Sequence, residues 1–456
     1  MFKKKRIDDW ALDYWLLQQY AKLCFRLSYR RIEVLNRHNL PVNQPVILAP
    51  NHQNALMDAM VLVCNTSYQN VFLARADIFR GKRLIRFLTF LNIMPIYRIR
   101  DGIKNVKKND EVFDRTLQVL HNKKNPLSIF PEGNHGDKRR LRPLVKGLFR
   151  IALQAQEKYG HSPGVKIVPI GYDYGHYQHF QSTLFVNIGE PIEVNEFIQV
   201  YLENPVLAIN QMKERFAGAL SKQMIDIQTE EYYELYMHLR EIFNPEMRSI
   251  LGIKEHTLAA KFKADKFMID RLNAGLAAEP ENIRQLDHKV KEYWQGIHLR
   301  GLSDWVIGTK NHNLPALLFT SLLKILLLPV FIFGFVNNYL PFWFAESRIR
   351  KIKDPQFQSS FKYVMGLLAF PVWYLIIVGI LAIARLPFWI ILSYVLVLPG
   401  AGLCAFSYAG RLRRLIIRWK FFLQSRHPAI KELVRLREEI IGHVQTILNR
   451  HHPAEE

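Results

Sequence analysis

The sequence predicts an α/β domain with a mostly parallel or mixed sheet flanked by helices. A helical region and then C-terminal transmembrane helices follow it. Three observations predict this. Short apolar runs bounded by turn residues alternate with helical periodicity up to about residue 200. Residues 203–300 are charged, poor in strand formers and helical in period. From about residue 314 three apolar stretches approach or exceed the ~20 residues that cross a bilayer core. The expected organisation is an amphipathic N-terminal helix (1–40), the α/β domain (41–200) and a helical region (201–312). A membrane region (313–410) holds a hairpin at about 362–409, and a basic cytoplasmic helix or tail (411–456) ends the chain.

Lys3–Arg6 open the chain, but acids and glutamines interrupt the residues after them, so no signal peptide is expected. Trp10, Leu12, Trp15, Leu16, Tyr20, Leu23, Cys24 and Leu27 recur at near-helical spacing. Behind a basic cluster this pattern suits either a helix in the membrane interface or one packed on the domain. Strands are expected at Pro45-Val-Ile-Leu-Ala, Asn70-Val-Phe-Leu-Ala, Ile93-Met-Pro-Ile-Tyr, Pro126-Leu-Ser-Ile-Phe, Val165-Lys-Ile-Val-Pro-Ile and Leu184-Phe-Val-Asn-Ile. Helical patterns at 109–122 and 145–158 separate several of them. The helical region should break near Asn244-Pro245, Gly252 and Pro280.

The apolar stretches lie at roughly 314–338, 362–384 and 387–409. No charge occurs from Val364 to Ala384 or from Leu386 to Ala409, so these two form a tight hairpin about Arg385. Lys324 and Pro329 make 314–338 the weaker span. Basic residues flank the hairpin on both sides, at Arg348, Arg350, Lys351, Lys353 and Lys362, and at Arg411, Arg413, Arg414, Arg418 and Lys420. Both flanks are therefore expected in the cytoplasm. For the preceding domain to share that side, 314–342 must be a re-entrant or interfacial helix pair, broken near Pro329 or Val336-Asn-Asn.

Composition limits the function. The 456 residues give a prior of about three domains. A hydrophobic content of 49% excludes a disordered chain. Lys plus Arg number 62 against 40 Asp plus Glu, a net charge of +22 that calls for an anionic partner or surface. Cys24, Cys64 and Cys404 build no disulfide framework, which fits a reducing, cytosol-facing location. The cations sit near the candidate site, beside the spans and at the N-terminus rather than on one recognisable module. A membrane enzyme is thus expected over a nucleic-acid binder.

Four clusters carry chemistry. In Ala49-Pro-Asn-His-Gln-Asn-Ala-Leu-Met-Asp58, a strand end leads into a helix pattern. His52 in the turn and Asp58 in the first helical turns can pair, leaving the second ring nitrogen as a base. A capped helix with a satisfied histidine is the plainer alternative. Ser128-Ile-Phe-Pro-Glu-Gly-Asn-His-Gly136, followed by Lys138-Arg-Arg-Leu-Arg142 and Lys146-Gly147, sets a carboxylate and glycines among cations, which suits an anionic, hydroxylated ligand. Between Arg98 and Arg150, fourteen Lys or Arg stand against six Asp or Glu. Pro95-Ile-Tyr-Arg-Ile-Arg100 offers two guanidinium forks for phosphate. Ile167-Val-Pro-Ile-Gly171 is a strand that floors a site or is plain core.

In this order the clusters resemble the four blocks of the phospholipid/glycerol acyltransferase superfamily. Asn51-His52 with Asp58, Phe130-Pro-Glu-Gly133 and Val168-Pro-Ile170 match, over about residues 45–195. Five residues separate His52 from Asp58, and Asn134-His-Gly stands where Thr-Arg-Ser is usual. Both features resemble the glycerol-3-phosphate/dihydroxyacetone-phosphate acyltransferase branch, as do Leu141-Arg-Pro-Leu-Val-Lys-Gly147 and Gly189-Glu-Pro-Ile192.

The resemblance implies an α/β acyltransferase domain and a membrane-bound enzyme of phospholipid biosynthesis. Acyl-CoA or acyl carrier protein would donate the acyl group as an acyl thioester, with no cofactor and no metal. The acceptor is a glycerol phosphate, either glycerol 3-phosphate or dihydroxyacetone phosphate. A lysophosphatidate acceptor is the alternative, since lysophosphatidate acyltransferases share the blocks. In this reading His52 is the general base and Asp58 orients it. Glu132 and Gly133 help position the glycerol hydroxyls, Asn51 is on the substrate side, and Arg98, with Arg100 or Lys146, pairs with the phosphate. Backbone donors of the His52 turn would hold the oxyanion. No G-x-S-x-G elbow is present for a serine hydrolase. Gly400-Ala-Gly402 reads as helix packing rather than a dinucleotide fingerprint. The non-enzyme alternative is a basic membrane-surface or nucleic-acid-binding protein.

Overall fold

The structure, a computed structural model, describes residues 9–96, 108–160, 162–309, 313–349, 352 and 354–450. The chain divides into two compact units. Met1–Asp226 and Ile352–Tyr363 form the first, and Ile227–Lys351 and Val364–Glu456 form the second.

The first unit has the expected α/β fold but extends beyond the expected bounds of 41–200 on both sides. Helix α1 (Leu12–Ser28) runs straight into strand β1 (Tyr29–Leu35). The sequence expectation of helix through residue 40 is corrected here. Buried Tyr14, Gln18, Ala21 and Phe25 keep a helical period, but after Ser28 β-branched Ile32 and Val34 alternate with Arg31 and Glu33. The other strands are β2 (Val46–Pro50), β3 (Val71–Arg75), β4 (Ile93–Ile96), β5 (Leu127–Ser128), β6 (Lys166–Tyr174), β7 (Ser182–Ile188) and β8 (Ile192–Glu193). Their order is β1-β7-β6-β2-β5-β3-β4, with β8 beside β6. The strands from β6 to β4 are mutually parallel, whereas β7 and β8 run antiparallel to β6 and β1 follows β7. The sheet is therefore mixed.

Helices α2 (Leu56–Asn65), α3 (Lys82–Phe90), α4 (Lys108–Asn122) and α5 (Gly147–Tyr159) are the crossovers between parallel strands, and α6 (Ile198–Glu203) and α7 (Pro205–Gln223) follow the sheet. All five residues of β2 are buried, as a parallel strand covered on both faces requires. Ile47, Ala49, Val71, Leu73, Leu127, Ile129, Val165 and Ile167 share one core with α4, α5 and α7. Each fully buried aliphatic side chain there contributes about 1.5–3 kcal/mol. Pro169 lies in β6, where proline would cost a ladder bond. It falls in the gap where β6 changes partner, from β8 at Ile167 to β7 at Ile170. The carboxyl ends of β2 and β5 carry the His52 and Glu132 turns, the edge at which parallel sheets place their sites.

The second unit is helical. It contains α8 (Tyr233–Ile242), α9 (Asn244–Ile250), α10 (Leu258–Ala278), α11 (Pro280–Leu299), α12 (Asp304–Ile307), α13 (Leu314–Leu326), α14 (Leu328–Ile349), most of α15 (Pro355–Ile383), α16 (Phe388–Gln424) and α17 (Pro428–Arg450). The breaks fall at Asn244-Pro245, Gly252 and Pro280 as expected. Buried Arg437 bridges Asp304 at 2.8 Å and the Ile242 carbonyl at 3.0 Å.

By length and composition α14, α15 and α16 are long and apolar enough to cross a membrane, and α13 is a shorter apolar helix. The first apolar stretch breaks at Leu327, next to Pro329. Val336-Asn-Asn, also considered as a break, stays helical. Their amides instead cross-link three helices: Tyr374 donates to Asn338 Oδ1 at 2.7 Å, Asn338 Nδ2 to the Leu398 carbonyl at 3.1 Å and Tyr394 to Asn337 Oδ1 at 2.6 Å. Gly334 permits the close approach of α14 and α16, because a Cβ there would lie 2.1 Å from the Ala401 carbonyl oxygen. Gly402 packs on Asn338, which agrees with the helix-packing reading of Gly400-Ala-Gly402.

Candidate active site

The His52 turn is built around one carboxylate. Asp58 stands in the first turn of α2 and is fully buried. Its Oδ2 accepts from His52 Nδ1 at 2.8 Å and from the Gln53 and Asn54 amides at 2.7 Å each. Its Oδ1 accepts from the Tyr174 hydroxyl at 2.6 Å. Burial and the neighbouring Asp58 charge hold the Tyr174 pKa well above its usual value, so the phenol stays a donor. A carboxylate only accepts, so His52 Nδ1 carries the proton and Nε2 is left with its lone pair. The imidazole stacks on Phe130 with centroids 4.1 Å apart. The neighbouring Asn51 is buried and tied to β6, accepting from the Tyr172 amide at 2.7 Å.

The second turn locks onto the first. Glu132 is buried and accepts from the His52 amide at 3.2 Å and from Arg142 Nε at 2.6 Å. Arg142 Nη2 also donates to the His52 carbonyl at 2.8 Å, and the Gly136 amide donates there at 3.2 Å. Gly133 has φ 68°, the left-handed region, and a Cβ on it would sit 3.0 Å from Val145 Cγ1. Glycine therefore suits this turn in two ways.

Burial pushes the Glu132 pKa up to about 7, against the pull of Arg142 and the His52 amide, with the Asp58 charge adding to the rise. The folded protein thus holds a proton that the unfolded chain has released between the ordinary carboxylate range and about pH 7. This contribution to stability is complete at low pH and is lost as pH rises through about 7, by ~3 kcal/mol in all. The melting temperature of the parent relative to Glu132→Gln should accordingly fall across that window. A flat difference from pH 5 to 8 would contradict it. Removing the cation with Arg142→Gln should move the fall to higher pH.

His52, Asp58, Asn51, Glu132 and Gly133 are brought together. Lys146 is exposed at the start of α5, just after Val145. Arg98 and Arg100 lie outside the described residues. The amides of Asn51, His52, Gln53, Asn54 and Leu56 all donate within the protein. Sequence reasoning also missed several neighbours. Tyr174 follows the Val168-Pro-Ile170 strand by four residues, and Arg142 was hidden in a run of cations. Arg75, at the end of β3, reaches Asn134 Oδ1 at 3.5 Å. His135 pairs with Asp354 at 3.0 Å, a residue 219 positions away for which no local signal exists.

Residues 31–173 match the acyltransferase family. The chain is 36% identical over 104 residues to glycerol-3-phosphate O-acyltransferase 1 of Saccharomyces cerevisiae, covering 23% of this chain and 13% of that protein. It is 30% identical over 115 residues to glycerol-3-phosphate O-acyltransferase 2 of the same yeast, covering 25% and 15%. Residues 31–173 thus carry an acyltransferase domain. The matched stretch thus spans well under a quarter of either yeast relative. The solved 1-acyl-sn-glycerophosphate acyltransferase PlsC from Thermotoga maritima is 18% identical, with a TM-score of 0.32, covering 46% of this chain and 79% of that one. The acyltransferase domain as matched runs from within β1 through nearly all of β6, and so contains both the His52 and the Glu132 turns.

Proposed function

We propose that this protein is a membrane-bound O-acyltransferase that moves an acyl group from acyl-CoA or acyl carrier protein to a hydroxyl of glycerol 3-phosphate or dihydroxyacetone phosphate. The observation that carries this reading is the His52–Asp58 pair inside an acyltransferase domain whose yeast relatives are named for glycerol 3-phosphate. His52 Nε2 takes the proton of the acceptor hydroxyl as its oxygen attacks the thioester carbonyl. The new O–acyl bond forms, the C–S bond breaks, and the thiolate leaves and takes up the proton from the imidazolium. Asp58 stabilises that imidazolium. No covalent enzyme intermediate is needed. Glu132 holds the His52 backbone, and Gly133 lets the chain turn close to the acceptor. Asn51 ties the turn to the sheet. Arg98, Arg100 and Lys146 supply charge for the phosphate.

A phospholipid surface is the natural partner of such an enzyme. α14, α15 and α16 support membrane crossing. Helix α3 adds an interfacial feature, with Leu84, Ile85 and Phe87 exposed beside Lys82, Arg83 and Arg86. The basic flanks of the α15–α16 hairpin favour the cytoplasm. Residues 352–363, which precede the apolar run from Val364, belong to the catalytic unit, so a cytoplasmic start of that run implies a cytoplasmic active site.

The test is acyl transfer by the purified full chain from acyl-CoA to glycerol 3-phosphate and, separately, to 1-acylglycerol 3-phosphate. We expect the higher rate with glycerol 3-phosphate. A higher rate with the lyso-acceptor would reassign the acceptor, and no product from either would contradict the reading.

A further inference from the structure

The His52 turn contains a strained residue. Ala55, which caps α2, has φ 44° and ψ −123°, and the Met57 amide donates to the Asn54 carbonyl at 2.9 Å. This is close to a type II′ turn, whose first central position ordinarily needs glycine. An alanine held there is strained, and such a conformation persists only when its surroundings enforce it.

The enforcing groups lie 304 and 305 residues further along the chain. On one side of Ala55, the Leu56 amide donates to Ser360 Oγ at 3.1 Å. On the other, Ser359 Oγ donates to Asn54 Oδ1. Asn54, Ala55, Ser359 and Ser360 are all buried. Both serines lie in the first turns of α15, and that segment is fixed in the catalytic unit by further bonds. Tyr363 donates to the Ala21 carbonyl at 2.7 Å and Lys362 to the Gln178 carbonyl at 3.1 Å. Asp354 and Phe357 grip His135 from the same segment, and the His135 ring stands edge-on to His52 with centroids 5.6 Å apart.

We infer that Ser359 and Ser360 are positioning residues of the catalytic turn: they clamp the strained Ala55 so that the Gln53 and Asn54 amides and His52 Nδ1 converge on Asp58. This rests on the acyltransferase reading for its catalytic consequence. Its structural consequence stands alone. The serines touch no reacting atom. Their loss relaxes the turn, misplaces Nε2 and should lower kcat while leaving the substrates' KM nearly unchanged.

The experiment uses the full chain in detergent with Ser359→Ala, Ser360→Ala and the double variant. Two readouts are taken: kcat and KM for acyl transfer, and backbone hydrogen exchange of the peptide spanning residues 50–60 against one within α7. The expected result for the double variant is a kcat lower by about tenfold or more, KM within twofold, and faster exchange at 50–60 with α7 unchanged. Parent-like kcat with parent-like exchange at 50–60 would overturn the inference. If the parent itself transfers no acyl group, the functional reading fails separately, and exchange alone decides the clamp. Faster exchange confined to 50–60 supports it, and unchanged exchange overturns it.

Discussion

Replacing His52 with alanine should reduce kcat for acyl transfer by about 10²–10⁴-fold, the span that a positioned general base supplies. A glycerol hydroxyl is a poor nucleophile until its proton leaves, and His52 Nε2 is the free basic nitrogen in the turn. KM for the thioester should move little, because the imidazole is placed to take a proton and not to hold the donor. The fold should survive. Asp58 keeps three of its four donors, from Gln53, Asn54 and Tyr174, when His52 is gone. A melting temperature within a few degrees of the parent, measured on the same preparation, separates lost chemistry from lost structure.

Asp58→Asn should cost a similar factor by a different route. The amide can turn its NH2 toward Tyr174, whose hydroxyl rotates to accept, and leave its oxygen to the three N–H donors. The turn therefore persists while the negative charge that stabilises the imidazolium disappears. Asp58→Ala is the contrasting case. It leaves three buried donors unmet, at about 1–3 kcal/mol each, and should lower the melting temperature sharply as well as kcat. In the proposed mechanism His52 and Asp58 act as one unit, so the His52→Ala/Asp58→Asn double variant should be no slower than the worse single variant. Steady-state kinetics and thermal unfolding of the four variants check this directly. Multiplicative losses in the double variant would mean that the two residues act independently.

Much of this was legible in the sequence, for physical reasons. Parallel strands buried on both faces are continuous apolar runs, so β2, β3 and β6 stood out, and caps and prolines marked the helical region. His52 and Asp58 were visible because both lie in one strand-turn-helix segment. The hidden features depend on long-range packing. β1 was masked by the helix it continues, and its identity comes from pairing with β7 about 150 residues later. Arg142 was one cation among many until its distance to Glu132 singled it out. Ser359 and Ser360 meet Asn54 and Leu56 across some 304 residues, which no periodicity reports. The Asn337-Asn338 pair shows the limit from the other side: polar residues in an apolar stretch suggested a break, yet they cross-link the helices.

The most direct measurement is the formation of acylglycerol phosphate from glycerol 3-phosphate and acyl-CoA by the purified full chain, with parent and His52→Ala run side by side. Product is expected from the parent, and a rate lower by about 10²–10⁴-fold from the folded variant. Equal rates from the two proteins would contradict the role of His52 as the base.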